Sequence, residues 1–461
     1  MAYRLKLFSA AALCFAFHIA FATDISLSRT VTSKLVSMKV GDQLRIDKFP
    51  ISAAGATTIV FHPAKVYSDD ARLYVQTASG TQEIPRSNRI FLRGYSDDGT
   101  ARVAMSLNPG GSFAEGSGDG PDGSFALTSN GKGVLSAKRL ESTIPSTTKL
   151  DFQCGNETAS MAVSADSLER SLGLSVPKPN VIDATQALKL ATVAVDTDSL
   201  FMSKLFSNNT TTAGNWIASM FNAMNTMYER DLSVELLEGT TIFRTNPTTD
   251  PYTSASDVPA DGTDLDIFGA YWKANESAVP RSFATLLSGR GPCSGNSCSA
   301  SGIAWIDQYC QKGFIGNGSD TIGSYSVVQV FSSISIDPQA SIAARLTGHE
   351  LGHNFGAYHT HCTNASTGAA PTGSNTIDKC VSGEVDNNIA CYSGATSCPM
   401  TGGTVTAGTI MSYCNIKGCP TAGSQNLLQF HPAQISVLSA NISAESACIN
   451  SNDTIFANGF D

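Results

Sequence analysis

Four of the chain's seven histidines fall within thirteen consecutive residues, His349-Glu350-Leu351-Gly352-His353-Asn354-Phe355-Gly356-Ala357-Tyr358-His359-Thr360-His361. Upstream, Asp337-Pro338 reads as an N-cap followed by proline in the first helical turn. Ile342, Leu346, His349 and His353 then recur at helical intervals, so the buried stripe of one helix runs into two imidazoles. His349 and His353 stand one turn apart and can hold one ion between them, while Glu350 projects beside them. Gly356 permits positive φ, which lets the backbone leave the helix sharply and bring His359 back as a third nitrogen ligand. Three neutral imidazoles on Zn²⁺ leave a fourth position for water, as in catalytic rather than structural sites. A carboxylate next to that water can take its proton and return it to a leaving amine, and Glu350 is in position to do so. A buried, hydrogen-bonded histidine pair is the alternative for HExxH alone. The third histidine and the glycine turn favour the metal.

The pattern HExxHxxGxxH resembles the zinc signature of the metzincin peptidases. Gly408-Thr409-Ile410-Met411-Ser412-Tyr413-Cys414 is similar to the clan's methionine turn, with Met411 fifty-two residues after His359. The resemblance implies that Met411 lies beneath the ligands as a hydrophobic floor. Within the clan, the wording of His349 to Gly356 most resembles the adamalysin or reprolysin-like branch, in a secreted, bacterial-looking form. Thr360 stands where adamalysins usually have Asp, the acid that anchors their first catalytic-domain segment. Tyr413 looks more like astacins and serralysins, whose matching Tyr can ligate zinc at rest and steady the oxyanion; otherwise it is a packed aromatic. What the resemblance implies is an α/β metzincin catalytic domain over about residues 188–449. That domain is a twisted, mostly parallel sheet with helices, a zinc cleft and a disulfide-rich lower subdomain. One catalytic zinc ion and protein or peptide substrates follow from it.

At 461 residues the chain is long enough for two domains with cores. Charged residues make up 15%, below the roughly 25% usual in soluble proteins. The formal charge of −9 and the lack of a basic run argue against a nucleic-acid partner. Residues 1–22 read as a secretory signal peptide: Arg4 and Lys6, an apolar run from Leu7, and Ala20-Phe21-Ala22 as cleavage site. That run is shorter than the ~20 residues a membrane span needs, so an exported, extracellular protein without a transmembrane segment is expected, and a monomer.

Cysteine usage agrees with an oxidising compartment. Of twelve cysteines, Cys14 lies in the leader and ten lie between Cys293 and Cys448, which allows five disulfides. Cys293 and Cys298 are close enough to close a small loop, and a bridge between Cys414 and Cys419 would stiffen the methionine turn. Cys154 is left over, followed by Gly155. A thiolate is a strong zinc ligand and would displace the catalytic water. Zymogens of the matrix and adamalysin metzincins use such a Cys-Gly as a latch, and the resemblance assigns that role to Cys154. A buried reduced cysteine, or a disulfide partner for one of the other ten, is the alternative.

Along the chain, residues 23–160 read as a β-rich, sandwich-like prodomain carrying the Cys154 latch. Short apolar segments at Leu73-Tyr74-Val75, Ile90-Phe91-Leu92 and Val103-Ala104-Met105 are separated by glycine turns. Phe91-Leu92-Arg93-Gly94-Tyr95 loosely resembles reprolysin propeptides. Its expected work is chaperone and inhibitor; a lasting binding module is the alternative. Residues 161–187, with Val176-Pro177-Lys178-Pro179, read as a linker and maturation region, cut after Arg170 or Lys178.

From 188 strands alternate with helices. Trp216, Met220, Met224 and Met227 mark a long amphipathic helix, and Leu232, Val234 and Leu236 a strand with one wet face. Gly302 to Ile306 is the candidate edge strand to which extended substrate would add antiparallel. Asp261, Asp264 and Asp266 cluster without matching a calcium loop, so calcium is left open. Phe430-His431-Pro432 opens a last helix, and 450–461 is a tail. The expected protein is a secreted zinc endopeptidase made as a latent zymogen, with Glu350 as general base. The rival is a zinc-stabilised extracellular adhesin without catalysis.

Overall fold

The computed structural model describes residues 24–52, 55–139, 149–154, 188–254, 260–291, 293–294, 297–310, 322–331, 340–369, 375–386, 389–398, 400–401, 404–405, 408–414, 427–444 and 448–451. The expected signal peptide, the expected linker with Arg170 and Lys178, the expected Asp337-Pro338 cap, Cys419 and the residues from 452 lie outside the described residues.

The N-terminal strands are β1 (Ile25–Ser26), β2 (Leu44–Pro50), β3 (Ala56–Pro63), β4 (Leu73–Thr77), β5 (Gly80–Ile84), β6 (Ile90–Ser96), β7 (Arg102–Leu107), β8 (Phe113–Gly120), β9 (Gly123–Ser129) and β10 (Val134–Arg139). Helix α1 (Arg29–Ser37) starts on Ser28, whose hydroxyl accepts from Val31 N. Eight of these strands form one antiparallel sheet in the order β1-β10-β9-β8-β7-β6-β3-β2. At its two ends, β1 and β10 approach β2, so the sheet curls around its own core. Gly94 and Gly118 leave room inside the curl for Phe61 and Phe125. The expected sandwich is therefore a single rolled sheet among the described residues: Leu92, Val103 and Met105 pack inward with Phe61, Phe125 and Leu35 of α1. Phe91 and Ala104, one position along, face the other way and join a different core, as a period of two dictates.

That second core belongs to a mixed sheet. Its strands are β11 (Lys149–Cys154), β12 (Lys189–Thr197), β13 (Val234–Arg244), β14 (Phe283–Gly291), β15 (Cys293–Ser294), β16 (Ser297–Ala304) and β17 (Tyr325–Phe331). The spatial order is β11-β16-β17-β14-β12-β13-β4-β5, so N-terminal strands close both edges. The pairings β4–β13, β13–β12, β12–β14, β14–β17 and β11–β16 are parallel, and β16–β17 is antiparallel. Helices α2 (Thr210–Leu232), α3 (Gly262–Asn275), α4 (Ala340–Asn354) and α5 (Pro432–Ala444) complete the fold. Alternation sorts the sheet's two faces. Val193, Val195, Leu287 and Val328 pack on α2 and α4, while Ala194, Leu286 and Val327 pack on Phe268 and Trp272 of α3.

Helix α2 runs between the two sheets, and its Met220, Met224 and Met227 are core. Strand β13 has no wet face. Glu235 is 3% exposed and ion-paired to Arg93 of β6, which also reaches Glu229 at 2.7 Å, because the N-terminal sheet covers what would otherwise meet solvent. Leu232 ends α2 rather than beginning the strand. The Asp261–Asp264 cluster is a capping box: Asp261 accepts from Thr263 N, and Asp264 accepts from Asp261 N at 2.9 Å.

Disulfides join Cys310–Cys448, Cys362–Cys391 and Cys380–Cys414, and Cys398 is bridged as well. Cys414 thus takes Cys380, not Cys419, because residues 378–380 fold under the methionine turn, where Asp378 accepts from Ser412. The backbone register sets Cys293 opposite Cys298 in a β15–β16 hairpin.

Glu238 of β13 is fully buried where residues 66–68 cross the strand, with Thr241 Oγ1 donating to its Oε1 at 2.8 Å. Its Oε2 meets no hydrogen-bond partner among the described residues. Burial pushes this carboxyl up to about 8, against the opposing pull of Arg86. A pKa raised on folding gives stability that is full below the unfolded value of 4.5 and is lost as pH rises through the folded one. The melting temperature should therefore fall between pH 5 and pH 9, and Glu238→Gln should flatten that slope. Glu229, also raised by burial, leaves a residual slope. Identical slopes for variant and wild type would contradict the assignment.

Candidate metal centre

Helix α4 carries two of the expected ligands, and its end is tightly held. The side-chain amide of Asn354 donates to the carbonyls of Trp305 at 2.8 Å and Tyr325 at 3.1 Å, which ties the last turn to the sheet. Gly356 follows at φ +105°, a left-handed conformation that a side chain resists, and a Cβ there would run into Asn441 Nδ2 at 2.7 Å. Past this turn the chain reverses and delivers His359 to the face already occupied by His349 and His353.

Two carbonyls orient the first two rings. His349 Nδ1 donates to Ile410 O at 2.8 Å, and His353 Nδ1 donates to Ala357 O at 2.7 Å. A carbonyl only accepts, so both Nδ1 atoms carry the proton and both Nε2 atoms present lone pairs. The three Nε2 atoms converge: 3.1 Å between His349 and His353, 3.3 Å between His349 and His359, and 3.2 Å between His353 and His359. Tetrahedral zinc with bonds of ~2.0–2.1 Å sets its nitrogen ligands roughly 3.3–3.4 Å apart. Lone pairs this close repel unless a cation lies among them, and the donor set fits zinc.

The fourth donor is sulfur. Cys154, a buried thiol at the end of β11, lies 3.5 Å from His353 Nε2, and it groups with all three imidazoles as one set of converging donors. A zinc–sulfur bond of ~2.3 Å places such a sulfur about 3.5 Å from each nitrogen. Cys154 thus stands beside the three imidazoles, where the latch reading expects it. Its neighbour across the β11–β16 ladder is Gly302.

Glu350 is fully buried beside the histidines, with Cys154 Sγ 3.9 Å from its Oε2. Gly302 is what admits it: a Cβ at that position would fall on the Glu350 carboxylate. Sequence reasoning missed this role, because a glycine inside a strand carries no motif and the approach is a contact across 48 positions. Met411 is buried beneath the helix, its Sδ where a Cβ on Gly352 would meet it at 2.8 Å. The Tyr413 ring lies 4.4 Å from that of His359 and is 2% exposed. His361, fully buried, stacks on His359 at 5.5 Å and meets Glu384 at 2.8 Å through Nε2, so it faces away from the cluster as a supporting ring. His431 serves as a cap, its Nδ1 accepting from Ala433 N.

Comparison with known proteins gives three findings. Residues 187–421 match the family Reprolysin_5, described as metallo-peptidase family M12. A curated relative, the disintegrin and metalloproteinase domain-containing protein B of Aspergillus fumigatus, is 28% identical over 177 residues, 37% of this chain. The match spans only 20% of that relative's length. Among solved structures, one titled as a chaperone–substrate complex aligns with a TM-score of 0.27 and 12% identity, over 56% of this chain and 35% of that one. A score that low carries no structural argument.

If the donors are read correctly, the purified full chain should hold one zinc ion per molecule through dialysis. His359→Ala should lose most of it to a moderate chelator that leaves wild type loaded. Elemental analysis showing no metal in the folded wild-type chain would refute the reading.

Proposed function

Because this chain belongs to metallopeptidase family M12, we propose that it is a zinc-dependent endopeptidase, exported as a latent zymogen in which Cys154 occupies the corner a substrate needs. The observation that carries the reading is the convergence of three imidazole nitrogens with the Glu350 carboxylate beside them. One catalytic zinc ion, held by His349, His353 and His359, supplies Lewis acidity for the attacking water and the scissile carbonyl.

The rest is done by the chain's own groups. Glu350 accepts a proton from the attacking water and delivers it to the departing amine nitrogen, and its burial keeps that proton from bulk solvent. Gly302 keeps the carboxylate aligned by leaving it space. The Ile410 and Ala357 carbonyls hold the first two rings in one tautomer. Tyr413, packed on His359, is assigned to steady the tetrahedral oxyanion once the thiol has left.

Latency follows from the β11–β16 pairing. On its other side β16 pairs with β17, so within the catalytic half it is the edge strand. Substrate is expected to add there antiparallel, and β11 occupies that edge running parallel. A segment lying backwards in the cleft presents no peptide bond in register for attack, while its thiol fills the fourth corner. Removal of residues 23–160 after cleavage in the 161–187 linker would expose both. Export is supported by the disulfides, which persist in oxidising compartments, and no helix among the described residues is long and apolar enough to cross a membrane.

Two variants test this. Glu350→Gln should keep its zinc yet lose about a hundredfold or more in peptide turnover by the matured enzyme; cleavage at the wild-type rate would exclude the base role. Cys154→Ala should release casein-digesting activity from the uncleaved precursor, and unaltered latency would end the latch assignment.

A further inference from the structure

Besides helix α4, the cluster of imidazoles depends on two loops that lie far apart in sequence and must keep a fixed distance. His359 sits on one. The other, residues 410–412, carries the carbonyl that orients His349 and the Met411 floor. Asp378 lies between them, 7% exposed, on neither. Its Oδ2 accepts from the hydroxyl of Thr360, the residue after His359, and from Ser412 Oγ at 2.8 Å, the residue after Met411. Its Oδ1 accepts from Cys380 N at 3.1 Å, beside the Cys380–Cys414 disulfide. Thr360 N also donates to Met411 O at 3.0 Å, so the two loops touch where the carboxylate joins them.

We propose that Asp378 is a positioning residue for the metal centre, clamping the His359 loop to the methionine turn so that the three imidazoles keep tetrahedral spacing. The proposal rests on the reading of one zinc ion held by His349, His353 and His359. Three donors converge on one side chain, which only an ionised carboxylate accepts in full. An amide of the same shape must turn its NH₂ toward at least one of them. If it faces Cys380 N, two N–H groups oppose each other; if it faces Thr360 and Ser412, both hydroxyls lose the oxygen that accepts from them. Either way the clamp slackens on the side of His359, whose ring position depends on Thr360. The disulfide cannot substitute, since it links Cys380 to Cys414 and leaves Thr360 untethered.

The test uses the full uncleaved chain, with Cys154 present as fourth donor. Zinc affinity is measured by competition with a chromophoric chelator, and ligand geometry by the visible bands of the cobalt(II)-substituted protein. Asp378→Asn should lower zinc affinity about tenfold or more, the scale of losses seen when groups supporting metal ligands are removed. It should also change the cobalt band envelope, which general destabilisation of a still-folded chain would leave alone. Thr360→Val, which removes one of the three donors, should shift both readings in the same direction by less. Wild-type affinity and spectrum in a folded Asp378→Asn chain would overturn the proposal. Should that variant fail to fold, wild-type values for Thr360→Val would do the same. A wild-type chain that binds no zinc at all would instead sink the zinc reading on which the clamp depends.

Discussion

Four donor atoms carried by a helix, the turn after it and a strand two hundred residues earlier meet at one point, and that convergence governs the architecture. Uncharged nitrogen lone pairs held 3.1–3.3 Å apart in a buried site repel each other without a cation. Rigid supports must therefore hold the rings until the ion does. They are local and cheap to identify: two backbone carbonyls for two rings, an amide tying the helix end to the sheet, and one glycine where the chain reverses. A second glycine, Gly302, makes room for the Glu350 carboxylate.

The N-terminal part is not merely attached to this centre. It contributes β4 and β5 to one edge of the mixed sheet and β11 to the other, and its rolled sheet lies on α2. The contact is polar as well as apolar. Arg93 meets Glu229 and Glu235 with all three side chains under 20% exposed, and Asn222 of α2 donates to the carbonyls of Leu92 and Met105. Buried ion pairs add little net stability but cost several kcal/mol to break on one side only, so they favour one docking over others. Such a surface favours one register of β11, and a shift of a single residue would take Cys154 away from Gly302 and the imidazoles.

Much of the centre was legible in the sequence because it is local. A spacing of four on a helix places His349 and His353 on one face whatever surrounds them, and a glycine three residues on permits the reversal that returns His359. The buried methionine stripe of α2 followed from periodicity for the same reason. The errors share a cause too. Glu235 read as solvent-facing because alternation reports polarity, not what covers it, and its cover came from residue 93. The disulfide pairing stayed open in the sequence, because Cys380, the partner of Cys414, arrives from a loop whose path no spacing reveals.

By itself the sequence determined the donor types, the helix and turn that present three of them, and the carboxylate beside them, since each depends on separations of ten residues or fewer. Only the tertiary structure decided that β11 lies along the edge at β16 and so brings Cys154 to the imidazoles, and that Gly302 and Asp378 border the site. Those are contacts between distant segments, set by how sheets and helices pack, and backbone geometry propagates no such information along the chain.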